Sequence, residues 1–227
     1  MNFEEGQTLL FNKPKGWTSF DLVAKVRNTT RTKKVGHAGT LDPLATGLLI
    51  ICTGKHTKQI NHVQDMEKEY EVWFKMGATT PSYDAEYPEE NICDASHITA
   101  AAIESALPAF RGEISQLPPV FSAVKVNGKR AYKAARAGAE IELKSRQVNI
   151  YDFTLIETGA EPPIFSARIR CSKGTYIRSL IHDLGQTLGT GAYITELKRT
   201  AIGHYRLESA WEIQDFAAKF GTKKPNS

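Results

Sequence analysis

A five-residue apolar run, Leu48 to Cys52, follows directly on a glycine-rich loop, and this junction restricts the fold more than any other stretch of the chain. A continuous apolar run of this length, closed by Gly54, predicts a short strand covered on both faces. The loop before it, within GHAGTLDPLATGLLIICTG (Gly36 to Gly54), carries a single carboxylate, Asp42. A rigid strand can aim that carboxylate while the glycines let another molecule come close. Read by itself, Asp42–Pro43 is equally a turn or a cap.

Helices and strands alternate around this junction. KPKGWTSFDLVAKVR predicts a turn at Pro14–Gly16 and then a helix, with Thr18 and Asp21 as a reciprocal cap and Leu22, Val23 and Val26 as the apolar stripe. From Tyr70 to Met76 the pattern alternates: Tyr70, Val72, Phe74 and Met76 face one way, Glu71 and Lys75 the other. ASHITAAAIESAL reads as a helix, PVFSAVKVNG as a strand ending in an Asn127–Gly128 turn, and Ile141 to Ile156 as extended chain. Phe165, Ala167, Ile169 and Cys171 mark a further strand. In GTYIRSLIHDLG, Thr175 is the expected cap, Ile177, Leu180, Ile181 and Leu184 the core stripe, and Gly185 the stop. Ser209-x-x-Glu212 predicts a capping box for a last helix bearing Trp211, Ile213 and Phe216, with a polar, frayed tail after Phe220. Hairpin-like neighbours and few strand–helix–strand units give an expected α+β class with a largely antiparallel sheet.

Several chemistries find no footing. Gly47 and Gly54 lack the spacing of a phosphate-binding P-loop, and Lys55 is followed by His56 rather than Ser or Thr. HExxH, clustered His and Cys, and metal-spaced carboxylates do not occur, so a bound metal is not expected. The six histidines are scattered, and no G-x-S-x-G elbow appears. Cys52, Cys93 and Cys171 form no CxxC pair, which points to a reducing, cytoplasmic setting without disulfides or structural zinc. The apolar run is too short to span a bilayer, and the acidic N-terminus lacks a signal-peptide core.

A net charge of +4 in 227 residues says little, but its clustering says more. Arg27, Arg31, Lys33 and Lys34 crowd before the opening loop. Lys129, Lys133 and Arg136 are spaced i, i+4, i+7, which on a helix would share one face. Arg168, Arg170, Lys173 and Arg178 follow, then Lys198–Arg199. Such clusters favour a polyanion partner. Tyr70 starts its strand in phase with the apolar face. Arg178 lies at the edge of the predicted helix stripe, where a guanidinium can point inward only if paired; Asp42 is a candidate partner, and the pair would hold the carboxylate ionised.

GHAGTLDPLATGLL, together with KPKGWTS, LPPVFSAVKVNGKRAY and CSKGTYIRSLIHDLG, closely resembles the tRNA pseudouridine synthase B (TruB) family, from about Leu10 to Tyr205 with the motifs in order. The resemblance implies a pseudouridine-synthase-like α+β catalytic domain with a mixed, largely antiparallel sheet flanked by helices and a thumb-like insertion from Lys125 to Arg146. It implies isomerisation of uridine 55 in the T arm of tRNA by base flipping, without a cofactor. Asp42 in GTLDPLATG matches the catalytic aspartate. Tyr70 in KEYEV matches the tyrosine that packs on the target base, and Arg178 in GTYIRS the arginine that pairs with the aspartate. Tyr176 and Leu197, the latter in ELKRTAIG, match the lining of the uracil pocket, and His37 in GHAG the histidine that enters the RNA loop. Lys13, grouped with these substrate-side residues, and Pro14, both in FNKPKG, match a motif that supports the site. Arg31, Lys33, Lys34, Lys129, Lys133 and Arg136 are the expected RNA-backbone contacts.

Many family members carry a further C-terminal PUA domain. Residues 206–227 are too few for one, so the expectation is a single catalytic domain over 1–220, a polar tail over 221–227, a monomer, and salt-sensitive tRNA binding. Asp84 in TPSYDAE, the only carboxylate suited to a second acid/base role, reads as a loop residue, and residues 81–97 receive no role. An RNA-binding module without catalysis and a nucleoside glycosidase are the rival readings.

Overall fold

In the computed structural model, the apolar run becomes β3 (Thr46–Thr53), with every residue but the first buried. All residues are described except 123–124, 127–128, 131–142, 157–162 and 222–227. The chain divides into two compact units, Met1–Tyr70 with Lys198–Ser227, and Glu71–Leu197.

In the first unit β3 is the hub. β1 (Thr8–Lys13) runs antiparallel along it from Thr8↔Cys52 to Lys13↔Gly47, and β2 (Val35–Ala38) pairs antiparallel with its second half. The last residues of β10 (Ala192–Ile202) pair parallel with its start, Lys198↔Thr46 and Arg199↔Gly47, and β11 (Tyr205–Arg206) folds back on β10. One face of the sheet carries a cluster of Ala38, Leu48, Ile50, Cys52, Val63 and Ile202. Val63 comes from α2 (Ile60–Asp65). Near the other end of the chain, α5 (Ile213–Phe220) sets Phe216 edge-on to Phe11 of β1, ring centroids 4.9 Å apart. α1 (Ser19–Thr30) is capped as expected: the Thr18 hydroxyl accepts from the Asp21 amide, the Asp21 carboxylate accepts from the Thr18 amide, and Leu22, Val23 and Val26 are buried.

The second unit is built on β4 (Lys68–Met76), β9 (Ile164–Cys171), β8 (Arg146–Leu155) and β5 (Gly112–Gln116), neighbours in that order. β5–β8 and β8–β9 are antiparallel, the latter with a bulge between Ile150 and Asp152. The alternation read from Tyr70 to Met76 holds and extends back to Lys68, whose amine donates to the Gln64 and Met66 carbonyls. α3 (Ala100–Ala106) and α4 (Ile177–Thr187) complete the unit, with Ile177, Leu180, Ile181 and Leu184 buried. The fold is the expected α+β class with a mixed sheet, the β3–β10 contact being parallel and the β1–β3, β2–β3, β10–β11, β5–β8 and β8–β9 pairs antiparallel. Among the described residues no helix is long and apolar enough to cross a membrane.

Several boundaries differ from expectation, each for a local reason. α3 starts at Ala100 rather than Ala95, because the Thr99 hydroxyl accepts from the Ala102 amide and sets the cap there. The cap of α4 is Tyr176; the Thr175 hydroxyl donates backward to the Ser172 carbonyl instead. Gly185 does not stop α4, which runs to Thr187. It is needed for close approach, since a Cβ there would lie 2.2 Å from the Ala192 nitrogen. The Ser209 box is not formed: Ser209 ends a 3₁₀ turn, Glu212 is the cap residue, and its carboxylate accepts from the Asn12 side chain at 2.7 Å. The strand expected from Pro119 begins, among the described residues, only at β6 (Lys125–Val126), which pairs with β7 (Lys129–Arg130). Lys129 therefore sits on a strand rather than on the expected helix, its backbone paired with Val126. Lys133, Arg136, most of the thumb-like insertion and the tail beyond Gly221 lie outside the described residues.

Candidate active site

In the first unit, the predicted nucleophile Asp42 is half-buried at the start of a tight turn, its carbonyl accepting from the Ala45 amide at 3.1 Å. The residues on either side of it are fastened. Ser19, the first residue of α1, exchanges two hydrogen bonds with Leu41: the Leu41 amide donates to the Ser19 hydroxyl at 2.9 Å, and that hydroxyl donates to the Leu41 carbonyl at 3.2 Å. On the other side the Pro43 carbonyl accepts from the Gly16 amide at 2.8 Å and from the Lys13 amine at 3.3 Å.

Lys13 is fully buried at the end of β1, and its amine also donates to the carbonyls of Trp17 at 2.7 Å and Pro14 at 3.0 Å. Burial lowers its pKa to about 8, and the negative charge of Asp42 opposes the fall. An ammonium ringed by three carbonyls is a brace for the FNKPKG turn and the Asp42 loop, in keeping with a supporting role for that motif.

A second brace was read from sequence as part of a basic surface. Arg199 is 1% exposed, and it grips the same loop from β10: Nε donates to the Leu48 carbonyl at 2.8 Å, Nη2 to Gly39 at 3.1 Å and Nη1 to Thr40 at 3.4 Å. It is no phosphate contact. Gly47 in the DPLATG motif lets the Arg199 backbone pass, because a Cβ there would lie 2.3 Å from the Arg199 carbonyl oxygen and φ is 97°. The signal for this residue lay in its place on the strand beside β3 rather than in its charge.

His37 is half-buried on β2, opposite Ile51, and its ring stands perpendicular to that of the exposed Phe20 at 5.2 Å. Burial pushes its imidazole below the ordinary range, which leaves it neutral at pH 7. Tyr70 is buried on the apolar face of β4. Arg31, Lys33 and Lys34 are exposed between α1 and β2, with Arg31 in the left-handed conformation that ends α1 (φ 55°).

In the second unit, Arg178 is 5% exposed on α4. The expectation that this guanidinium turns inward holds. Nη1 donates to the Ser82 carbonyl at 2.9 Å and lies 3.5 Å from Oδ2 of Asp84; Nη2 donates to the Phe121 carbonyl at 3.0 Å. Asp84 is itself buried, with Oδ1 accepting from the Ser82 hydroxyl at 2.6 Å and the Glu86 amide at 3.0 Å. Sequence reading left Asp84 in a loop without a role, because its partner lies 94 positions downstream and no local pattern links the two.

Tyr176, the residue before α4, is held by Gln116, which is fully buried at the end of β5. The Tyr176 amide donates to Oε1 at 2.7 Å, and Nε2 donates to the Tyr176 carbonyl at 3.0 Å. Arg146 stacks over the Tyr176 ring at 5.0 Å. Leu197 is half-buried on β10. Asp42, His37, Lys13 and Tyr70 thus belong to the first unit and Arg178, Tyr176 and Leu197 to the second.

Residues 27–177 match the family model described as "TruB family pseudouridylate synthase (N terminal domain)", and residues 178–226 match "tRNA pseudouridylate synthase B C-terminal domain". A tRNA pseudouridine synthase B from Bacteroides thetaiotaomicron is 50% identical over 95% of this chain and 93% of its own. One from Parabacteroides distasonis is 50% identical over 95% of each. Among solved structures, a Cbf5–Nop10–Gar1 complex superposes with a TM-score of 0.73 at 28% identity, over 96% of this chain and 55% of the other. An H/ACA ribonucleoprotein bound to a substrate RNA superposes at 0.71 with 25% identity. The chain spans about half the length of these two solved chains.

Proposed function

The chain belongs to the TruB family of pseudouridylate synthases, and on that premise we propose that it isomerises uridine 55 in the T arm of tRNA, with Asp42 as the nucleophile. It is an isomerase. The N1–C1′ bond of uridine breaks, the base turns, C5 bonds to C1′, the C5 proton leaves to solvent and N1 takes a proton, so no redox equivalent or group donor is required. The target base must leave its stack, at a cost of a few kcal/mol.

In this reading Asp42 forms the covalent bond to substrate. Arg178 is the cation that keeps the nucleophile ionised, and Tyr70 handles the C5 proton and packs on the base. Tyr176 and Leu197 line the uracil pocket, while His37 fills the space the base leaves. A neutral imidazole suits insertion among bases, since it stacks without carrying a charge into the loop. Arg31, Lys33 and Lys34 hold phosphates. The protein acts as a cytoplasmic monomer.

One observation carries this reading: half of the residues are shared with a tRNA pseudouridine synthase B over nearly the whole length of both chains. The geometry supports it, because a loop bearing one carboxylate is braced by two buried cations rather than left free to adapt. The test is tritium release from a tRNA transcript labelled at uridine C5, with a second transcript carrying cytidine at position 55. Release from the first and none from the second is expected. Release from both would move the target nucleotide; free uracil would indicate a glycosidase, and binding without release an RNA-binding module.

A further inference from the structure

Between Ser82 and Asp84, the two residues that meet Nη1 of Arg178, stands Tyr83 with a φ of 63°. A bulky residue in the left-handed region carries a strain on the order of 1–3 kcal/mol and persists only where its surroundings hold it. Here the backbone holds part of the turn. The Tyr83 amide donates to the Thr80 carbonyl at 3.2 Å, the Thr80 hydroxyl donates to the Asp84 carbonyl at 2.7 Å, and the Ile194 amide donates to the Tyr83 carbonyl at 3.0 Å.

The side chain supplies a further restraint. The Tyr83 ring lies flat on the ring of His182, with centroids 3.8 Å apart and planes within 12°. His182 is four residues after Arg178 on α4, so the two side chains leave the same helical face one turn apart. The His182 Nδ1 is buried and has no hydrogen-bond partner among the described residues, so no polar contact at that atom fixes the ring. Burial lowers the pKa of His182 and raises that of Tyr83, and both rings are neutral at pH 7. The stack therefore adds no charge beside the Arg178–Asp84 pair.

We propose that the Tyr83–His182 stack is a positioning device for the reaction: it clamps the strained Ser82–Tyr83–Asp84 turn to α4 and so fixes the carbonyl and the carboxylate that orient Arg178. This rests on the assignment of Arg178 to the active site. Neither ring touches substrate; both act through the guanidinium.

The test uses turnover of tRNA by the full chain, with KM and thermal midpoint recorded for each variant. Tyr83→Phe keeps the ring and should turn over within about twofold of wild type, whereas Tyr83→Gly removes the ring, relaxes the backbone and should lower kcat about tenfold or more at nearly unchanged KM. His182→Ala should match it, and His182→Phe should restore most of the rate. In an Asp84→Asn background, where the turn keeps only the Ser82 carbonyl as its hold on Arg178, Tyr83→Gly should cost clearly less than it does in wild type. Wild-type kcat in Tyr83→Gly, a KM rise equal to the kcat fall, or full additivity with Asp84→Asn would overturn the proposal. So would a Tyr83→Gly protein that fails to fold. Arg178→Lys is run alongside: if it alone loses turnover, only the ring pair is refuted, and if it keeps turnover, the site assignment falls as well.

Discussion

The two clusters of site residues use buried charge in opposite ways. In the first unit Lys13 and Arg199 are the braces and the loop is the object braced: two cations donate to the backbone carbonyls of Pro14, Trp17, Gly39, Thr40, Pro43 and Leu48, on and around the loop that carries Asp42. In the second unit the cation is the object. Arg178 is held by the Ser82 and Phe121 carbonyls and lies beside the Asp84 carboxylate. A carbonyl-only cage fixes backbone without neutralising the cation, so it suits a scaffold. A cage containing a carboxylate fixes a side chain and shares its charge, so it suits a group whose orientation matters to chemistry. The difference teaches that removing a brace should cost stability first, and altering the braced guanidinium should cost turnover first.

The sharpest break of that comparison is Arg178→Lys. A lysine keeps the charge but loses the planar fork, so kcat should fall about a hundredfold while tRNA affinity, by filter binding, stays within about threefold. An equal loss of both would make Arg178 a phosphate contact. Next comes Arg199→Met. It strips three carbonyls of their donor and should destabilise the fold by about 3 kcal/mol, on the order of 10 °C in the thermal midpoint. A stable but inactive Arg199→Met protein would contradict its role as a scaffold.

Lys13 offers a pH signature. Its folded pKa of about 8 lies below the ordinary 10.5, so between these values the folded chain binds fewer protons than the unfolded one, and stability rises with pH across that window. Since Tyr193 and Cys52 are both raised by burial and push the other way at alkaline pH, the quantity to follow is wild type minus Lys13→Met in denaturant midpoint. That difference should move in favour of wild type from pH 8 to 10.5 and be flat from pH 6 to 7. The smallest effect is Thr18→Ala, which should cost about 1 kcal/mol through the lost cap of α1 and leave turnover of the remaining folded protein unchanged.

Features governed by neighbours in sequence were readable without the structure. β3, the Thr18–Asp21 box, the alternation of β4 and the stripe of α4 all follow from local pattern and held in place. Arg178 was also legible, because a cation at the margin of a buried stripe must find a partner. Elements decided by distant partners were not. Arg199 reads as surface charge until β10 is laid beside β3, and Asp84 reads as loop until α4 supplies the guanidinium. Lys129 fits a helical face on spacing alone, yet pairing between β6 and β7 claims its backbone. A tyrosine at positive φ has no sequence signature at all, since the residue type argues against the conformation it adopts.

Central to this account is the carboxylate of Asp42 as the group that attacks the nucleotide, held in place by residues that do not themselves react. Single-turnover tritium release from C5-labelled tRNA by Asp42→Asn, beside a gel-shift titration of the same protein, tests it most directly. The account predicts no release above background with tRNA affinity within about threefold of wild type. Release at the wild-type rate would contradict it.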